Sequence, residues 1–195
     1  MKAPNILTLI RIGLSPLFIV FFMINNFWSL LVCIGLFAIL EITDLLDGRI
    51  ARKYGQITDF GKLMDPYADS IARFTIFLSF LSADLAPLWV IAIFFYRDVL
   101  VSVIRVFSIK EGVVVAARKS GKTKAWVQAL GISLVLLLLL LQKTNVYTDP
   151  LTVFHIQLTA IIIFLAALVT LWSAIDYWNG NKAVVLDAMR MKKVS

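Results

Sequence analysis

Six apolar runs alternate with short polar joints along the chain, at about 8–25, 28–47, 62–83, 87–108, 124–142 and 152–177. Each is close to the roughly 20 residues that an α-helix needs to cross about 30 Å of hydrocarbon. The joints are Asn25-Asn26, the stretch 48–61, Ser82-Ala83-Asp84 ahead of Pro87, the stretch 109–123, and Gln142 to Pro150. Joints of this length connect antiparallel neighbours in a bundle. The pattern predicts an all-α integral membrane protein, six transmembrane helices bundled into one domain over 1–195. Trp28, Trp89, Trp126, Trp172 and Trp178 all fall near span ends, where interfacial tryptophans belong. No internal repeat, Gly/Ser linker or low-complexity tract appears, and the leucine run at 134–142 reads as lipid-facing.

Composition agrees with that pattern. Of 195 residues, 61% are hydrophobic and 16% charged, with a mean hydropathy of +0.90, whereas soluble domains run at roughly 45–50% and 25%. Six spans and their joints use up the chain and leave no room for a soluble domain. Lys2 followed by an apolar stretch resembles a secretory leader, but Arg11 interrupts the run and no small-x-small cleavage site follows Met23. An uncleaved first span is expected. Cys33 is alone, which excludes a disulfide framework and a cysteine metal site.

The net charge of +7 would suit nucleic acid if it formed one basic patch. It is instead sorted by joint. Lys2, Arg11, Arg49, Arg52, Lys53, Lys62, Lys110, Arg118, Lys119, Lys122, Lys124, Lys182, Arg190, Lys192 and Lys193 fall on one side, and Lys143 alone on the other. The positive-inside rule then places both termini and the joint at 48–61 on the cytoplasmic face of a cytoplasmic (inner) membrane. No nucleic-acid partner is expected. The basic tail 183–195 reads either as a frayed end or as a segment resting on anionic lipid.

The candidate chemistry sits where the second span ends and the third begins. Asp44 and Asp47 are three apart, Asp65 and Asp69 four apart, so each pair shares a helix face. Two antiparallel neighbours would aim those faces at each other. Four carboxylates in one small volume repel, and a divalent cation removes the repulsion; oxygen-only ligands suit Mg²⁺, Mn²⁺ or Ca²⁺ rather than zinc, and this much negative charge has room for two ions. Gly48 and Gly61 let a bulky phosphate-bearing group approach the backbone, Ala51 keeps the same edge low, and Arg52 and Lys62 offer positive charge to phosphate oxygens. A single Asp-x-x-Asp pair is more often a solvated helix end than a site. The whole run from Asp44 to Asp69, D-x₂-D-G-x₂-A-R-x₈-G-x₃-D-x₃-D, has a chance expectation of about 10⁻¹⁰ per starting point at ordinary residue usage.

That run resembles the signature of the CDP-alcohol phosphotransferases at each of its eight fixed positions. The resemblance implies a six-helix membrane enzyme, commonly homodimeric, that moves a phosphoryl-linked group from a CDP-linked donor to an alcohol and releases CMP. It also implies Mg²⁺ or Mn²⁺, two ions, held by Asp44, Asp47, Asp65 and Asp69, with Asp69 as general base, and a cytidine diphosphate pocket lined by Gly48, Ala51, Arg52 and Gly61.

A second basic group points to the acceptor. Arg97 and Arg105 lie within the fourth span, where arginine is a functional candidate by default, and project roughly 80° apart on a helix. Arg118, Lys119, Lys122 and Lys124 follow at the start of the fifth span. The bland reading is that Arg97 pairs with an acid and the lysines anchor the span; a cluster this basic also fits an acceptor that carries its own phosphate. Pro4-Asn5-Ile6-Leu7-Thr8-Leu9-Ile10-Arg11, Arg97-Asp98 with Arg105, and Gly121-Lys122-x-Lys124 resemble the phosphatidylglycerophosphate synthase branch. That branch joins CDP-diacylglycerol to sn-glycerol 3-phosphate, which Arg97, Arg105 and Lys122 would grip. Ser70, where relatives often carry lysine, and Asp98, where glutamate is more usual, depart from it. Glu41 and Asp176 are further acids able to pair with a basic residue, and His155 reads as structural. Competing expectations are another acceptor alcohol (an inositol phosphate, serine or phosphatidylglycerol) and, from a different class, a divalent-cation carrier.

Overall fold

The structure is a computed structural model describing residues 3–53, 59–110, 118–144 and 149–191; the side chains of 3–5, 7, 47–53, 59–63, 65–66, 106–110, 149–153 and 183–191 are outside that description. Six helices account for the described chain: α1 (Ala3–Ile24), α2 (Phe27–Lys53), α3 (Asp59–Ser82), α4 (Leu88–Lys110), α5 (Lys119–Gln142) and α6 (Asp149–Met191). Asn25 and Asp84 end α1 and α3 with positive φ, 52° and 55°, the left-handed residue that closes a helix and that Asn and Asp tolerate best. α2 restarts at once because Asn26 and Ser29 cap each other: Asn26 Oδ1 accepts from the Ser29 amide at 2.8 Å, and Ser29 Oγ from the Asn26 amide at 3.0 Å.

The helices pack in a closed ring, α1–α2–α5–α6–α4–α3 and back to α1. Among the described residues the main backbone packing of α2 and α3 is against α1, which lies against both; the two helices meet each other through side chains, Arg73 on α3 pairing with Glu41 on α2 at 3.0 Å. Inside the ring, Phe18, Phe22, Leu30, Phe37, Ile76, Phe77, Phe80, Phe94, Ile132 and Leu136 form one core. Outside it, Val20, Leu31, Ile39, Leu100, Leu130, Leu137, Ile161, Leu165 and Leu171 are exposed, as are all five tryptophans. An apolar exterior this extensive belongs against lipid, not water. Three stretches, Phe27–Leu46, Lys119–Gln142 and Phe154–Lys182, are long and apolar enough to cross a membrane, with a shorter apolar stretch at Thr8–Ile24. α3 and α4 carry more charge, and the described charged side chains Asp69, Arg97, Asp98 and Arg105 line one cavity, with Arg73 buried.

Two boundaries differ from the sequence reading. α2 runs on through Gly48 to Lys53 and α3 starts at Asp59, so 48–53 and 59–61, expected as joint, are helical: one glycine among Arg, Ala and Lys does not break a helix anchored at its other end. α6, 43 residues long, continues past the expected span end at 177 to Met191, so the tail expected from 183 as a frayed end or a lipid-resting segment is helical as far as 191; at 1.5 Å per residue α6 is about 65 Å long.

Candidate active site

Helical register lays the signature out as two stripes. Asp44, Asp47, Gly48 and Ala51 recur at i, i+3, i+4 and i+7 on α2, and Gly61, Asp65 and Asp69 at i, i+4 and i+8 on α3. The side chains of Asp47, Gly48, Ala51, Arg52, Gly61 and Asp65 lie outside the description, so the acid set is seen through Asp44 and Asp69. Both line one cavity of about 310 Å³. Among the described residues no three carboxylate, histidine or cysteine side chains converge; what they offer is two partly exposed carboxylates facing one space, a hard-oxygen donor set that fits Mg²⁺ or Mn²⁺ and not zinc.

Each of these acids is held by an arginine buried behind it. Arg11, 1% exposed, donates from Nη1 to Asp44 Oδ1 at 2.9 Å. Arg73 donates from Nε to Asp69 Oδ1 at 3.0 Å, pairs through Nη2 with Glu41 Oε1 at 3.0 Å, and donates from Nη1 to the Ala125 carbonyl at 2.8 Å. From the sequence, Arg11 reads as a break in the first span, a cytoplasmic-side charge and the end of the motif from Pro4 to Arg11, but not as a partner of Asp44, and Arg73 is passed over. The signal was there: Arg73 continues the α3 stripe one turn beyond Asp69, as Glu41 continues the α2 stripe one turn before Asp44.

The opposite wall is basic. Arg97 and Arg105 from α4, with Lys122, Lys124 and Arg118 from the start of α5, line the same cavity, so the three expected acceptor residues share a space with Asp44 and Asp69. They differ in their commitments. Arg97 donates to Asp98 Oδ1 at 2.9 Å and to Ser173 Oγ at 3.0 Å, and Lys124 donates to both Asp98 oxygens at 2.8 and 3.0 Å. Lys124 is thus an internal strut rather than an interfacial anchor. Arg118 binds the Asp176 carbonyl at 2.8 Å and its carboxylate at 3.1 Å, lying across Gly180, where a methyl would overlap its guanidinium. Arg105 and Lys122 have no carboxylate partner among the described residues. The Tyr177 hydroxyl, on the same wall, also finds no partner among the described residues. Two uncommitted cations and an unpartnered hydroxyl in one cavity make a receptor for an anion.

A family model described as CDP-alcohol phosphatidyltransferase matches residues 1–174. The chain belongs to the CDP-alcohol phosphatidyltransferase family. Family members generally use divalent metals, in keeping with the carboxylate wall. Relatives named CDP-diacylglycerol–glycerol-3-phosphate 3-phosphatidyltransferase include one from Bacillus subtilis (strain 168), 30% identical over 191 residues, covering 91% of this chain and 94% of that protein. One from Salmonella paratyphi A (strain ATCC 9150 / SARB42) is 31% identical over 189 residues, covering 94% and 97%. One from Pseudomonas fluorescens is 30% identical over 180 residues, covering 91% and 88%.

Proposed function

We propose that this chain transfers the phosphatidyl group of CDP-diacylglycerol to sn-glycerol 3-phosphate, giving phosphatidylglycerophosphate and CMP. The observation that carries this reading is the single cavity with Asp44 and Asp69 on one wall and the uncommitted Arg105 and Lys122 on the other. Family membership fixes the CDP-linked donor class, and the basic wall selects an acceptor that bears its own phosphate.

In that reading Asp44, Asp47, Asp65 and Asp69 hold two Mg²⁺ or Mn²⁺ ions, which would neutralise the donor diphosphate. Gly48, Ala51, Arg52 and Gly61 line the cytidine diphosphate pocket. Arg105 and Lys122 bind the acceptor phosphate, and Arg97, held by Asp98 and Ser173, presents its remaining edge beside them. Asp69 takes the proton from the acceptor hydroxyl as its oxygen bonds to the phosphorus that carries the diacylglycerol. The bond from that phosphorus to the bridging oxygen breaks, and CMP leaves with the electron pair. The donor's acyl chains have a place as well: an apolar groove of about 560 Å³ between α2 and α5 runs from Glu41 and Asp44 along Phe37, Leu130 and Leu137. The whole chain acts as one six-span membrane domain in the inner membrane, both termini and the active site cytoplasmic, assembled as a homodimer.

The test is CMP release by the purified protein with CDP-diacylglycerol and Mg²⁺ or Mn²⁺, offered glycerol 3-phosphate, serine, inositol phosphate or phosphatidylglycerol in turn. Metal-dependent release with glycerol 3-phosphate alone is expected. Release with serine and none with glycerol 3-phosphate would reject the acceptor, and vesicle metal uptake without CMP chemistry would favour a carrier.

A further inference from the structure

Asp69 is the proposed base, yet among the described residues only one of its oxygens is committed: Oδ1 accepts from Arg73. Arg73 is 5% exposed and uses every nitrogen. Nε holds Asp69 on its own helix, Nη2 meets Glu41 on α2, and Nη1 reaches the Ala125 carbonyl on α5. A charge this deep in an apolar bundle is tolerated only when fully partnered, and here the partners are spread over three helices. The Ala125 carbonyl follows directly on Lys124, whose ammonium clamps Asp98, which in turn holds Arg97. One continuous set of contacts therefore runs from Asp69 through Arg73 and α5 to the basic wall. Glu41 balances Arg73 from the far side and lies outside the signature.

We infer that Arg73 is a positioning residue, which, counterbalanced by Glu41, pins Oδ1 of Asp69 and fixes its other oxygen in register with the acceptor wall. This rests on the reading of Asp69 given above. Arg73 lines the apolar groove between α2 and α5 but not the cavity that holds Asp69, so its effect on turnover passes through the carboxylate it holds. A carboxylate on one helix turn swings about its own χ angles; a guanidinium fork docked at three points removes that freedom. Misplacing a reacting group by about an ångström costs on the order of 100-fold in rate.

The experiment compares Arg73→Met, Asp69→Asn and the double variant in CMP-release kinetics, with Mn²⁺ binding measured on the lipid-free protein. Arg73→Met is expected to lower kcat by about 100-fold, keep both KM values within about threefold, and weaken Mn²⁺ binding by about tenfold. In the Asp69→Asn background it should cost nothing more, since residues acting as one unit are non-additive. Arg73→Lys should restore part of kcat. Should Arg73→Met fail to fold with Glu41 left unpaired, Arg73→Met with Glu41→Gln removes both buried charges and should fold with the same kcat loss. An Arg73→Met protein with wild-type kcat, or losses that simply add in the cycle, would overturn the inference while an inactive Asp69→Asn keeps the base assignment. Wild-type kcat in Asp69→Asn overturns both.

Discussion

At the scale of single residues, the two walls of the cavity make separable demands. Asp69→Asn keeps an oxygen able to accept from Arg73 Nε but loses the basic group, so turnover should fall by about 10²–10⁴-fold with little change in the thermal unfolding midpoint. Full activity in that variant would remove Asp69 from the base role. On the basic wall, Arg105→Met or Lys122→Met deletes a cation that has no carboxylate partner among the described residues, so neither strands a described acid. A charge-assisted hydrogen bond is worth roughly 1.5–3 kcal/mol, and each substitution should raise KM for glycerol 3-phosphate by about 10- to 100-fold while leaving KM for CDP-diacylglycerol nearly unchanged. Arg97→Met makes a different prediction. It strips Asp98 of one of two cations and should lower stability as well as acceptor affinity. Tyr177→Phe removes a buried hydroxyl with no partner among the described residues, so unfolding should show no loss of stability.

At the scale of helices, what could be read from the chain was what a fixed period carries. Asp44, Asp47, Gly48 and Ala51, and then Gly61, Asp65 and Asp69, fall on one stripe each because 3.6 residues per turn decides it locally. Asp44 and Asp69 indeed reach a common cavity with Arg97, Arg105 and Lys122. Partners across helices were not legible. Glu41 and Arg73 are 32 positions apart, and Arg118 meets Asp176 across 58; only the tertiary packing of the bundle brings them together. Nor was it legible that α1 packs against both α2 and α3, since a joint limits how far apart two helix ends lie but not which helix packs beside them; α2 and α3 meet through the Arg73–Glu41 pair. Gly180 shows how such a contact constrains sequence. Arg118 leaves the start of α5, crosses α6 at that glycine and grips Asp176. Gly180→Ala should displace the guanidinium, costing about 1 kcal/mol at the low end of overpacking penalties, because a half-exposed arginine can swing aside. In an Arg118→Ala background the same methyl should cost nothing measurable in unfolding, and an unchanged penalty there would mean that the clash lies elsewhere.

At the scale of the whole molecule, the charges that keep α3 and α4 from looking like simple spans are the ones the ring encloses. Arg73, Arg97, Asp98 and Asp69 are paired among themselves or with Glu41 and Lys124, so a helix poor in apolar residues on one face can still sit in lipid with that face inward. If all six helices span, Thr144 in the joint after α5 and Lys182 near the end of the apolar part of α6 must lie on opposite sides of the membrane. Cys33 is fully buried, and Cys33→Ser gives a background in which one introduced thiol is the only target. A membrane-impermeant maleimide applied to intact spheroplasts should label Thr144→Cys and spare Lys182→Cys, and inverted vesicles should reverse the result. Catalysis should follow the same polarity. Glycerol 3-phosphate is charged and does not cross lipid, so inverted vesicles should release CMP from added substrate without detergent, whereas sealed right-side-out vesicles should do so only after permeabilisation. Labelling of both thiols from one side would mean that α6, the one helix between them, does not cross; labelling of Lys182→Cys alone in spheroplasts would put the start of α5, and with it the basic wall, in the wrong compartment for a cytoplasmic phosphorylated acceptor.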